Sequence, residues 1–337
     1  MKETTSFQEP VAKKIPHTIE AHGHARQDDY YWLNQREDEN VIAYLKQENA
    51  YREAVMSDTV AFQKELFDEM VGRIKKDDSS VPYKLDGWYY YTRYEGEKEY
   101  PIYCRKSESL EAPEQIMLDV NILAEGFSYY NVGGISVSPD KKTIAFGVDN
   151  IGRRVYTVHF KNLETGEISE DTIENTTGSA TWAADNKTLF YSRKNEKTLR
   201  SEFILKHKFG VDTPDVVVYH EEDETFSTFV YKSKSKQYIL IGSSSTLSDE
   251  YRFLSANTPD EEFKLFQPRE RNLEYGIAHF NDHWYIRTNK DGATNFKIMR
   301  APLKATSQEN WEDLIAHRNH VYVEGIELFR DFFVVEE

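Results

Sequence analysis

The spacing of hydrophobic positions changes once along the chain, near residue 76. Before that point the period is helical. In "EDENVIAYLKQENAY" Val41, Ile42 and Leu45 share one face; in "DTVAFQKELFDEMVGRI" Phe62, Leu66 and Met70 recur four apart, with Phe67, Val71 and Ile74 beside them. This predicts two helices, the second with Asp58 as its N-cap, whose apolar stripes need a covering surface. From Lys76 onward the period is two. Runs such as "GWYYYTRY", "KTIAFGV", "KTLFYSR", "QYILIGSS" and "HWYIRTN" read as short strands, punctuated by turns at Asp86-Gly87, Glu164-Thr165-Gly166, Asn281-Asp282 and Asp291-Gly292. The expected division is therefore a helical segment, 1–75, and a strand domain, 76–337.

The strand domain repeats itself. "SVSPDKKTIAFGVD", from Ser136, returns as "TWAADNKTLFYSRK", from Thr181. Aligning the residue before each unit's central strand, at Gly87, Lys142, Lys187, Lys236, His283 and Asp331, gives steps of 55, 45, 49, 47 and 48 residues. A four-stranded unit at that interval is the mark of a β-propeller blade. A lone four-stranded sheet cannot bury both faces, whereas radial stacking lets each blade cover the next. An irregular β-sandwich would not keep so steady an interval. The expected fold is all-β, with about five blades plus one strand of a sixth at "FRDFFVVEE". A lone strand leaves an open edge. Either the propeller's N-terminal strand completes that blade and closes a ring, or the chain is part of something longer.

Composition narrows the function. The chain has 337 residues, 39% hydrophobic and 30% charged, as a globular protein should. Its net charge of −16 argues against nucleic acid as a partner and is compatible with basic peptides. The single cysteine, Cys104, excludes an internal disulfide. The opening "MKETTSFQEPVAKKIPH" has no apolar leader and no run of 18 apolar residues occurs, so no membrane association is expected and the cytoplasm is the expected compartment.

Candidate chemistry is sparse. There is no G-x-S-x-G elbow, Walker loop or G-x-G-x-x-G. "GSSST", Gly242–Thr246, reads as a polar strand end and Cys104 as a structural thiol in a strand. His17, His22 and His24 lie in a loop. His279 and His283 flank a turn with Phe280 facing His283, so the pair is poorly aimed at one metal ion. "HEEDE", His220–Glu224, reads as a solvated turn and lacks the spacing of a calcium loop. No metal or cofactor site is expected. The repeat element is no sialidase-type Asp box, since Lys141 and Asn186 stand where that motif has glycine; Asp140 and Asp185 are expected to shape turns.

The "SPDKKTIAF" element resembles blades of prolyl oligopeptidase family peptidases, and the N-terminus sharpens the likeness. "IPHTIEAHGHARQDDYYWLNQREDENVIAYLKQENAY" is similar to the opening of that family's oligopeptidase B branch, through His22-Gly23, the D-x-Y-x-W-L core (Asp29, Tyr31, Trp32, Leu33) and the L-x-Q-E-N-x-Y helix (Leu45, Gln47, Glu48, Asn49, Tyr51). "DNIGRRVYTVHFKNLETGE", "YHEEDETF", "TNKDGATNFKIMR" and "LFRDFFVVEE" continue the likeness in order.

The resemblance implies a serine peptidase that cleaves short peptides after Arg or Lys with a Ser-Asp-His triad and needs no cofactor. Its α/β-hydrolase domain would be capped by a seven-bladed propeller that restricts entry, with the N-terminal helices packed on the hydrolase domain. The triad would lie beyond Glu337, so no catalytic residue is expected in this chain, which reads as an N-terminal portion, inactive alone. Asp149, Arg153 and Arg154 in "DNIGRR" are candidate interdomain contacts; a solvated loop is the other reading. A non-enzymatic propeller scaffold for a peptide or protein stays open as the alternative. A five-bladed carbohydrate-active propeller finds no converging carboxylates.

Overall fold

The computed structural model describes residues 8–337 in two compact units. One runs to Asp78 and includes Glu95–Glu97; the other holds Ser79–Tyr94 and Lys98–Glu337. The polar lead begins in residues 1–7, outside the described residues.

In the first unit a hairpin pairs His17–Ala21 with His24–Asp28. His22 and Gly23 make its turn, both with positive φ (52° and 78°), which glycine adopts without cost. The Trp32 indole donates to the Lys13 carbonyl at 2.8 Å, and Tyr31 stacks on His17 at 4.0 Å. The aromatic residues of the D-x-Y-x-W-L core therefore anchor this segment. Helix α1 spans Glu39–Met56 and starts at Asp38, whose carboxylate accepts the Asn40 N–H at 2.7 Å. Helix α2 spans Val60–Gly72.

Asp58 does not cap α2. It lies inside a 3-10 turn, Ser57–Thr59, where the backbone from Met56 to Val60 stays helical, so no extended residue is available to cap. The stripe on α2 is open: Phe62, Phe67 and Met70 are 58%, 61% and 60% exposed.

The second unit is a run of antiparallel blades in chain order: blade 1 (83–119), blade 2 (131–176), blade 3 (180–220), blade 4 (227–265) and blade 5 (275–315). A hairpin of Gly325–Leu328 and Phe333–Glu336 follows; the pattern had marked its second strand. Among the described residues that last sheet holds these two strands, and no N-terminal strand joins them.

Blades 2 and 3 share a strand. Ile168–Trp182 pairs first with Tyr156–Asn162 and then with Thr188–Lys194, breaking between Asn175 and Gly178.

Strand residues alternate between neighbouring cores, as two-sided burial requires. Ile144 and Phe146 pack toward blade 1, while Ala145 packs toward blade 3. Ile239 and Ile241 pack toward blade 3, while Leu240 packs toward blade 5 with Trp284 and Phe266.

The first turn of each blade places a non-glycine residue in the left-handed region: Asp86, Lys141, Asn186, Lys236 and Asn281, with φ of 52°, 68°, 60°, 63° and 51°. Each stands two residues before the blade's second strand. The residues equivalent to Gly87 are thus Gln237 and Asp282, so the sequence alignment is one residue out of register at Lys236 and His283. Asp140 accepts the Lys142 N–H at 3.1 Å, and Asp185 accepts the N–H groups of Lys187 and Thr188 (3.0 and 2.8 Å) and the Thr188 hydroxyl (2.7 Å). Asp185→Ala should cost about 1–3 kcal/mol, seen as a lower urea midpoint at unchanged slope. An unchanged midpoint would show that the turn forms without the carboxylate.

Candidate functional site

Because neighbouring strands are antiparallel, the first turns of all blades lie at one end of the strands. The second turns and the connections between blades lie at the other. The two ends are chemically different.

At the first-turn end opens a cavity of about 1000 Å³. It lies between the inner strands of blades 1 to 4, with walls that include Tyr83, Leu85, Ile135, Val137, Trp182 and Tyr231. Lys141, Lys232, Lys236 and Asp86 sit at its rim. Asp86, from blade 1, bonds Lys141 of blade 2 at 2.7 Å and also bonds Lys236 of blade 4. Burial opposes the charge on Asp86, but the two ammonium groups prevail and hold its carboxyl below the ordinary range. Arg105 braces the Lys141 turn: its guanidinium lies over Trp88 at 3.9 Å and donates to the Lys141 carbonyl at 2.9 Å. Lys232 is half-buried, and its amine donates to the Ala183 carbonyl at 3.4 Å. Burial, with repulsion from Lys141 and Lys236, lowers its pKa to about 8.

At the other end lies the Asp149–Arg154 loop. Asp149 is buried and accepts the N–H groups of Ile151, Gly152 and Arg154 at 3.0, 2.8 and 2.7 Å. Burial works against its charge, yet these amides hold the carboxyl below its usual range. Asp149 thus shapes the loop from inside, while Arg153 and Arg154 are exposed. Arg153 borders a recess of about 340 Å³ shared with Asn175 of blade 2 and with Lys194 and Leu199 of blade 3.

"HEEDE" is not a plain solvated turn. Glu221 is 3% exposed and receives Arg269 through two bonds, at 2.5 and 3.2 Å. The Tyr219 hydroxyl donates to Glu221 at 2.7 Å, and the Arg269 guanidinium covers Phe226 at 3.5 Å. Burial disfavours the Glu221 charge, but Arg269 and Tyr219 outweigh it and lower the pKa.

Of the histidines expected in an N-terminal loop, only His22 lies in one; His17 and His24 stand in the two paired strands of the hairpin, because the turn needs only His22 and Gly23. His279 is buried between the Ser235 hydroxyl (2.7 Å) and the Asn281 carbonyl (2.9 Å), and Phe280 pairs with His283. Cys104 is fully buried, which pushes its thiol up to about 12. Ser243 of "GSSST" donates to the Tyr219 hydroxyl at 3.1 Å, within the hydrogen-bonded cluster around Glu221. Among the described residues no group of His, Cys, Asp and Glu is placed to hold a metal ion, and no helix is long and apolar enough to cross a membrane.

The sequence reading missed Lys232 as a site residue and took Asp86, Lys141 and Lys236 only as turn residues. Their shared position in the repeat was the available signal.

Comparison with known proteins places this architecture. A family profile described as "Prolyl oligopeptidase, N-terminal beta-propeller domain" matches residues 10–337. Dipeptidyl aminopeptidase BI of Pseudoxanthomonas mexicana is 45% identical over 346 residues, covering 97% of this chain and 48% of that protein. Protease 2 of Moraxella lacunata is 32% identical, with 97% and 48% covered. Oligopeptidase B from Leishmania major superposes with a TM-score of 0.90 at 31% identity, covering 98% of this chain and 49% of that one. Oligopeptidase B from Trypanosoma brucei, in a closed form with covalently bound antipain, gives 0.86 at 27% identity, with 97% and 49% covered. The chain therefore spans about half the length of the relatives it matches.

Proposed function

The chain belongs to the prolyl oligopeptidase family as its N-terminal propeller, and from that premise we propose that it is the substrate-gating part of a serine peptidase whose α/β-hydrolase domain supplies the Ser-Asp-His triad. The observation that carries this reading is coverage: 97% of this chain aligns to 48% of a 45%-identical peptidase. The intact enzyme hydrolyses short peptides after Arg or Lys without a cofactor. The open stripe of Phe62, Phe67 and Met70 docks on the hydrolase domain. Arg153 and Arg154 meet that domain from the second-turn end, on the loop that Asp149 holds in shape. A lone buried thiol fits the reducing cytoplasm. The scaffold alternative needs a ring closed within this length, and a last sheet of two strands weighs against it.

The test is turnover of Arg-linked chromogenic amides. The 337-residue chain alone should give none, and a protein that adds the hydrolase domain should give robust hydrolysis. Turnover by the chain alone would overturn the assignment of catalysis to another domain.

The 45% identity to a dipeptidyl aminopeptidase favours a second reading, release of dipeptides from free N-termini. Amides of N-blocked arginine and of unblocked dipeptides separate the two: an endopeptidase accepts the blocked substrate, and a dipeptidyl aminopeptidase rejects it.

A further inference from the structure

The chain is strongly acidic overall, yet the mouth of its first-turn cavity is basic. Three ammonium groups, on Lys141, Lys232 and Lys236, gather there against Asp86 and against Asp185, whose carboxylate is already spent on its own turn. Behind them the wall is aromatic and aliphatic. An apolar cavity with a few convergent polar groups is the usual form of a site for a small organic ligand. Here the charged lining is three lysines against one carboxylate, Asp86, an excess that suits an amphipathic anion.

We propose that this mouth binds the C-terminal carboxylate of a short peptide, with the cavity wall receiving the side chains behind it. This deepens the peptidase reading and rests on it. Asp86 already shows that a carboxylate fits between Lys141 and Lys236, where it takes one bond from each. A peptide carboxylate competes with Asp86 for these two lysines and gains Lys232 as a third donor. The half-buried amine of Lys232, held near pKa 8, regains the counter-charge that burial and its two lysine neighbours deny it. A peptide anchored in this way points its N-terminal part toward the opposite end, where Arg153 and Arg154 stand. The propeller would then orient its substrate as well as limit its size, and cleavage of short peptides would fall near the N-terminus.

The test is equilibrium binding to the 337-residue chain, followed by its tryptophan fluorescence since Trp182 lines the cavity. The probes are N-acetyl-Ala-Leu-Phe as the free acid and as the C-terminal carboxamide. The acid should bind about tenfold tighter or better, the loss of one charge-assisted anchor being worth roughly that factor. Lys232→Met should abolish the difference. Lys236→Gln, a substitution of similar length at an exposed turn position, should shrink it several-fold. Asp86→Asn should tighten the acid and leave the amide unchanged.

Equal binding of acid and amide, or a preference that survives both lysine variants, overturns the proposal, as does no binding of either probe at millimolar concentration. The measurement requires no turnover, so a failed peptidase assignment and a failed carboxylate site give different results.

Discussion

Glu221→Ala is expected to destabilise the chain by about 3 kcal/mol, the lower end of the range for removing one partner of a buried ion pair. The cost arises because Arg269 stays behind, with 26% of its side chain exposed and its two bonds to Glu221 gone. Glu250, at 3.6 Å, keeps part of the charge compensated, which holds the loss at that lower end. Replacing both residues by methionine should recover most of the stability, since no buried charge is then left unpaired. Urea unfolding of Glu221→Met, Arg269→Met and the double variant measures the coupling directly.

Acid gives an independent reading of the same pair. The folded-state pKa of Glu221 is depressed, so its contribution is complete above the unfolded value of about 4.3 and is lost as the pH falls through the lower folded value. The stability gap between wild type and Glu221→Gln should therefore narrow below about pH 4. A Glu221→Ala variant within about 0.5 kcal/mol of wild type would return "HEEDE" to the solvated turn its composition suggests.

Glu221 also shows where a sequence pattern stops being legible. Inside a run of four acidic residues it looks like its solvated neighbours, and its partner, Arg269, lies 48 residues away in a connection between blades. What reads clearly is what every blade must repeat locally. The turn aspartates, the two-residue period and the near-constant interval arise from one strand–turn–strand unit that has to cover its neighbour.

The features missed are those in which one blade departs from the others. "ISEDTIENTTGSATW" is too polar to announce a strand, yet it passes from blade 2 directly into blade 3, with Asn175 and Gly178 at the break. The alignment slipped by one residue where Lys236 imitates Lys142. "GIEL", the first strand of the last hairpin, is too short to show a period. Asp86, Lys141 and Lys236 sit on turns, where polar residues are expected in any case. Their meeting at one mouth follows from the radial arrangement of blades, which no local pattern encodes.

Gly147→Ala should cost about 3 kcal/mol, the upper end of the overpacking range, because the clash is with backbone. A Cβ at Gly147 would stand 2.3 Å from the Gly178 carbonyl oxygen and 2.5 Å from its Cα. No rotamer change relieves that contact; the second strand of blade 2 and the break in the shared strand must move apart. Gly178 is held in place by its own N–H to the Thr176 hydroxyl at 3.0 Å, and that hydroxyl donates to the Tyr156 carbonyl at 3.0 Å. Gly276→Ala is the control. It is also a strand glycine without positive φ, but nothing lies within 4 Å of its Cβ position, so its stability should stay within about 0.5 kcal/mol of wild type.

The damage at Gly147 reaches the loop end as well, since Val148 and Asn175, next to the two colliding segments, line the recess beside Arg153. Thermal melts of the two alanine variants decide the matter. Equal melting temperatures would mean that the backbone at Gly178 yields freely, and the two blades would then not be locked where they share a strand.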